Sequence, residues 1–405
     1  MYNQSNSSVL SKPTRSSIHI VFGVMIPICL GTVYSWSVFR LRIQDIYKIG
    51  STESGLPYMT SLAFYALFMF VTGKFLDRNS PRLVISVGGA LIALGWISAA
   101  FAPNIFVFTF FYGVVSGTGV GIAYGVPLAI IAKWFPENKG LAVGLVLVGF
   151  GLSPLVTAPI ARQLIVVMGA MKTFMVLGIS FGILLPILSF PLNYPNKDKT
   201  SVDVPENHSA KNDSGFDTNE MIHSNSFKTL YINFFIGATI GLMMIGMTSS
   251  VGIGFSELPS ETVYSLLPLF AIFNGVGRPL FGWLTDRTSV AKAMNFSYAL
   301  IIMAALLMLF TSNGSALPFA VSFSIFWLNL GGWLAIAPGA TISLFGPKHY
   351  SQNYGVVFTA YGIGAITGVL ASGALLDILN DYRMIFGLII ALCISGILFS
   401  RKMKQ

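Results

Sequence analysis

The chain has 405 residues, of which 54% are hydrophobic and only 10% charged, with a net charge of +9. A soluble protein of this size carries about 25% charged residues, so the composition excludes a water-soluble globular protein and describes one that spans a bilayer. In so apolar a chain the basic excess belongs to loops flanking membrane spans, and nucleic acid is not an expected partner.

A spanning helix needs about 20 mostly apolar residues. The polar start, MYNQSNSSVLSKPTRSS, shows no cleavable signal and leads into a first span over 17–39. Five more are predicted over 55–74, 82–102, 104–132, 140–162 and 170–191. The stretch NYPNKDKTSVDVPENHSAKNDSGFDTNE follows; it is polar, mixed in charge and without periodicity, and reads as a flexible linker. Beyond it, spans are predicted over 228–255, 262–285, 292–311, 314–344, 353–377 and 382–400. The expected organisation is an N-terminal six-helix bundle over 1–191, a cytoplasmic linker over 192–227 and a C-terminal six-helix bundle over 228–405.

Most lysines and arginines fall on the side of both termini, in segments that include Lys74, Arg78, Arg82, Lys133, Lys139, Lys228, Arg287 and Lys348. Arg40, Arg42, Lys48, Arg162, Lys172 and Arg383 fall on the other side. By the positive-inside rule both termini are cytoplasmic in a multi-pass protein, expected in the plasma membrane as a monomer. Cys29 and Cys393 lie inside apolar runs, which excludes a disulfide framework and a thiolate metal site. The histidines sit at span ends or in loops, and no nucleophile–base set occurs at one depth. Neither an enzyme nor a cofactor is expected.

The two halves echo each other. GKFLDRNSPR (73–82) follows the second span and GWLTDRTSVAK (282–292) the eighth; AKWFPENKGLAVG follows the fourth span and ISLFGPKHYSQNYGVV the tenth. Such repeats imply two pseudo-symmetric bundles with a ligand site near the midplane between them. Gly113, Gly117, Gly121 and Gly125 recur every fourth position inside an apolar span, which signals close helix packing and not a nucleotide loop.

On these loops and the six-plus-six plan, the chain resembles the major facilitator superfamily. GTVYSWSVF, GTGVGIAYGVPLAIIAKWFPENKGLAVG, NGVGRPLFG and NYGVVFTAYGIGAITG resemble in particular the oxalate/formate antiporter family, which is akin to monocarboxylate transporters. The resemblance implies an all-α membrane protein with the major facilitator fold, twelve transmembrane helices in two bundles, and secondary transport of a small carboxylate.

Arg278 stands inside the eighth span with no acidic residue at its depth in sequence. Asp286 marks the interface eight residues on, about 12 Å along a helix, so one reading is a snorkelling side chain. Against it stand the surrounding glycines 275, 277 and 282, the following Pro279, and Met69 at the matching place in the first half. The other reading is an anion anchor: a guanidinium keeps its charge and fits a carboxylate in two parallel hydrogen bonds. The resemblance assigns that role to Arg278. Asn274, one turn earlier, either donates to the substrate or makes a helix–helix hydrogen bond.

Members of the resembled family that carry oxalate have a lysine in the T-A-x-G stretch; here the stretch is TAYG, with Tyr361. One cation suits a monoanion, so a monocarboxylate of the lactate, pyruvate, formate or acetate type is the expected substrate. A dicarboxylate antiporter and a carrier of neutral or cationic solutes are the alternatives. Tyr34, Tyr124 and Trp333 are candidate cavity-lining aromatics, or else packing residues. Asp77, Arg78, Asp286 and Arg287 are candidate gating residues by resemblance, or else ordinary loop charge. No buried acid or histidine presents itself as a proton relay, and proton symport and anion exchange both stay open.

Overall fold

Inside a bilayer the backbone finds no water, so each apolar run must close its own hydrogen bonds as a helix. The computed structural model shows this throughout the described residues, 12–73, 79–135, 139–195, 215–311, 314–346 and 348–401, which contain helices and no strand. The spans are α1 (Ile18–Tyr47), α2 (Ser51–Gly73), α3 (Pro81–Ala99), α4 (Ile105–Trp134), α5 (Lys139–Met168) and α6 (Ala170–Ser189). After the link come α7 (Asn225–Phe255), α8 (Ser260–Arg287), α9 (Val290–Leu309), α10 (Ala316–Phe345), α11 (Tyr350–Leu379) and α12 (Arg383–Ser400). Eleven helices among the described residues carry spans long and apolar enough to cross a membrane. The twelfth, α8, has 28 residues but carries Asn274 and Arg278 in its buried face.

Span α1 runs eight residues beyond its predicted end at 39 and carries Arg40 and Arg42 with it. It is not uniform. Its α-helix ends at Leu30, tightens to a 3-10 turn over Gly31–Ser35, and resumes at Trp36. The Ser153 hydroxyl of α5 donates to the Ile28 carbonyl at 2.6 Å, so a neighbouring side chain enters the helix ladder where the geometry changes. Gly31 makes the approach possible: a Cβ there would stand 2.5 Å from the Phe150 carbonyl oxygen.

Packing follows a two-fold pattern. Within the first half, α1 packs on α5, α2 on α4, and α3 on α4 and α6; within the second, α7 packs on α11, α8 on α10, and α9 on α10 and α12. The main contacts between halves are α2 with α11 and α5 with α8. Advancing every helix by six turns each of these into the other, as a pseudo-two-fold between bundles requires. The small-residue stripe of α4 serves the close approach it was read for: Gly113 meets Thr60, Gly117 the Ser61 carbonyl and Gly121 the Tyr65 carbonyl, all on α2. A Cβ at Gly117 would stand 2.5 Å from that Ser61 oxygen. Gly117→Ala is therefore expected to destabilise the N-terminal bundle by about 1–3 kcal/mol, read as a lower melting temperature in detergent.

The start of α1 meets the end of α6 through His19 and Asn193, and the end of α12 meets the start of α9 through Ser400 and Asn295; the face where α1 starts and α12 ends is here the terminal face, and the opposite one the far face. The stretch 192–227 is not featureless. Thr218–His223 forms a short helix because Asp217 and Glu220 make a reciprocal capping box, with the Glu220 N–H donating to Asp217 Oδ1 at 2.7 Å and the Asp217 N–H to Glu220 Oε2 at 2.9 Å. Just before it, the Phe216 N–H donates to the Phe345 carbonyl, and Asn353 Nδ2 donates to the Phe216 carbonyl, docking the segment on the ends of α10 and α11.

At the far face three sets of contacts tie the halves. Arg40 is buried; its Nη1 donates to the Gly246 carbonyl of α7 at 3.1 Å, its Nη2 to the Ser51 carbonyl at 2.8 Å and its Nε to Ser54 Oγ at 3.2 Å. Asp377 of α11 accepts from the N–H groups of Ser51 and Thr52 at the start of α2, at 2.8 and 2.9 Å, where a helix N-terminus favours a negative charge. Arg162 of α5 lies 3.8 Å from Glu261 of α8 in an exposed pair. Arg40, counted from sequence only among the basic residues of the far side, is thus a buried cation within α1.

Candidate functional site

The site grows out of the contact between α8 and α10. Gly277 seats against the Leu328 carbonyl and Gly331 against the Asn274 carbonyl, so the two backbones touch. Asn274 Nδ2 adds a bond to the Trp327 carbonyl at 2.9 Å. With that side of α8 taken by α10, the side chains of Asn274 and Arg278 meet α5 at the seam. A Cβ built on Gly151 of α5 would stand 2.5 Å from Asn274 Oδ1 and 3.3 Å from Arg278 Nε.

Arg278 is 3% exposed, and none of its Nε, Nη1 and Nη2 atoms has a hydrogen-bond partner among the described residues. Snorkelling is ruled out by this burial. The contrast with Arg40 is chemical: both guanidiniums are buried, but Arg40 has two carbonyls and a hydroxyl for its donors, and Arg278 has none. A buried cation without partners is costly, and an anion relieves that cost.

The residue before Gly151 carries the other part of the site. Phe150 packs edge-on to Tyr34 at 5.1 Å and to Tyr124 at 5.3 Å, and stacks with Tyr65 at 5.6 Å between centroids. Tyr65 also meets Tyr124, Phe358 and Tyr361. The Tyr34 and Tyr361 hydroxyls lie 2.7 Å apart and join α1 of one bundle to α11 of the other. Tyr34, Tyr124 and Tyr361 therefore gather around Phe150 and Tyr65, and Phe150 is the chain neighbour of the Gly151 that faces Asn274 and Arg278.

Trp333 does not join it. Its ring lies against Gly237 of α7 and 5.3 Å from the Tyr298 ring of α9, inside the C-terminal bundle. Asp286 and Arg287 are exposed at the end of α8, with the Arg287 guanidinium 6.0 Å from the ring of Trp283 on its own helix. Asp77 and Arg78 lie outside the described residues.

Sequence reasoning passed over Tyr65, Phe150 and the special place of Gly151. One signal for Tyr65 was present: counted back from Gly73 it occupies the position that Asn274 occupies before Gly282. Nothing in the sequence around Gly151 says which side chains it packs on.

Among known proteins, the model of one family, described as the Major Facilitator Superfamily, matches residues 21–344. The chain belongs to the Major Facilitator Superfamily. It is a multi-pass membrane transporter and not an enzyme. The oxalate:formate antiporter of Oxalobacter formigenes is 26% identical over 355 residues, covering 86% of this chain and 82% of the relative. Monocarboxylate transporter 12 of Xenopus laevis is 25% identical over 340 residues, covering 78% and 72%. The structure of a bacterial homolog of the human lysosomal transporter Spinster, solved inward-facing and unoccupied, superposes with a TM-score of 0.68 at 16% identity, covering 97% of this chain and 94% of that one. That likeness supports the superfamily fold.

Proposed function

We propose that the protein carries a small monocarboxylate across the plasma membrane by alternating access, with Arg278 binding the carboxylate. One observation carries the reading: a guanidinium is buried at the contact between bundles with all three nitrogens unpartnered among the described residues. Its planar fork matches a carboxylate, and neutralising it is favourable only while the anion is bound. A monoanion is favoured over a dianion because the other buried arginine among the described residues, Arg40, already has three partners. Similarity to an oxalate:formate antiporter and to a monocarboxylate transporter agrees with a carboxylate substrate.

In this reading both termini are cytoplasmic and the Arg40 and Asp377 contacts close the extracellular side. Their release, as the halves rock about the seam, opens the site outward. Asp286 and Arg287 stay proposed gating residues on the cytoplasmic side.

Purified protein in liposomes, given labelled formate, acetate, lactate and oxalate, tests the proposal. Uptake of monocarboxylates that exceeds uptake of oxalate supports it; uptake of cations or neutral solutes, indifferent to carboxylates, overturns it. An imposed proton gradient or a preloaded internal anion separates symport from exchange. Tyr361→Phe deletes one hydroxyl of the Tyr34–Tyr361 pair and is expected to cost about 1 kcal/mol, a several-fold change in apparent affinity with transport retained.

A further inference from the structure

Asn274 is a residue whose amide ends are told apart by geometry. A carbonyl only accepts, so the atom 2.9 Å from the Trp327 carbonyl is the amide nitrogen, and the oxygen points the other way. That oxygen is on a fully buried residue and has no donor among the described residues. It faces Gly151, as does Arg278 Nε: a Cβ built there would stand 2.5 Å from one and 3.3 Å from the other, so the two polar groups converge on one point of α5.

The two side chains are complementary to different chemistry. The Arg278 fork offers donors only and takes a carboxylate. The free end of Asn274 offers an acceptor only, so the role of second donor to the carboxylate, considered from sequence, does not fit it. An unsubstituted acid fills the fork and leaves Oδ1 unpaired in a buried site. A 2-keto acid sets a second acceptor against it. A hydroxyl on the carbon next to the carboxylate meets it with a donor.

We propose that the site prefers 2-hydroxymonocarboxylates, with Asn274 Oδ1 accepting the substrate's hydroxyl proton while Arg278 holds its carboxylate. The inference rests on the carboxylate role of Arg278. Sites that pair a substrate hydroxyl discriminate strongly against analogues lacking it, because the buried partner is left unsatisfied. Gly151 belongs to the same design: any side chain there would press on Asn274 Oδ1 and Arg278 Nε, and a glycine leaves both uncovered for a ligand that enters as the halves move apart.

The test is competition for labelled carboxylate uptake in proteoliposomes of the full chain, comparing glycolate with acetate and lactate with both propionate and pyruvate. The hydroxy acids are expected to compete about tenfold or more better than their partners. Asn274→Leu is expected to bring lactate and propionate together; if that variant fails to fold, the wild-type ratios alone decide. Equal competition by lactate and propionate, with uptake still dependent on Arg278, overturns this inference and leaves the carboxylate reading standing. A gain on acidification that is equal for both acids and lost in Asn274→Leu also overturns it, since Oδ1 then accepts the carboxyl's own proton. Failure of every carboxylate to compete overturns the Arg278 reading itself.

Discussion

Arg278→Ala is expected to abolish carboxylate uptake while leaving the ligand-free protein at least as stable as the wild type. The two halves of that result have one cause. The guanidinium is 3% exposed and unpartnered among the described residues, so in the absence of ligand it is a cost to the fold. Removing it takes that cost away. With ligand bound the sign reverses: truncating one member of a buried, hydrogen-bonded charge pair costs about 2–5 kcal/mol, or roughly 30-fold to several thousand-fold in affinity. Detergent melting curves with and without carboxylate, run beside liposome uptake, check both parts. A structural arginine would behave oppositely, losing stability without ligand. Arg278→Lys keeps the charge but not the planar fork, and is expected to fall between the wild type and alanine.

The second large effect is expected at Arg40. Its three donors bind the Gly246 carbonyl of one bundle and the Ser51 carbonyl and Ser54 hydroxyl of the other. Hydrogen bonds to charged groups contribute about 1.5–3 kcal/mol each, so Arg40→Met, similar in length and unable to make any of them, is expected to destabilise by at least about 3 kcal/mol. The loss falls at the far face, where the halves are joined, so it is also expected to loosen that face. Spin labels at Asp45 and Asn380, which line one recess between the halves there, report it as a new, longer distance in Arg40→Met. An unchanged distance distribution with unchanged melting contradicts a closing role for Arg40.

Much of this architecture is legible before any coordinates. Apolar runs place twelve spans, most of them within a few residues at each end, because a bilayer leaves the backbone no alternative to helices. The matched loops after Gly73 and Gly282 reveal the duplication, which the exchange of the α2–α11 and α5–α8 contacts bears out. Arg278 stands out because it breaks an apolar run.

What sequence conceals is pairwise. RLRIQD after Phe39 reads as the polar end of a span, yet α1 continues through it, because Arg40 is taken up by carbonyls of distant helices. Trp333 offers an aromatic wall with a polar tip, as Tyr34 and Tyr124 do, but faces Tyr298 and Gly237 within its own bundle. Asn274 reads equally as ligand and as packing residue; its nitrogen packs and its oxygen has no donor among the described residues. The Asp217–Glu220 capping box was present as D-x-x-E and was hidden only by the polar composition around it.

The most direct measurement is a structure of the protein solved in a saturating concentration of its best-transported monocarboxylate. The account predicts the carboxylate oxygens within hydrogen-bond distance of Arg278, between α5 and α8. A bound carboxylate elsewhere, with Arg278 still unpartnered or held by a protein acid, contradicts it.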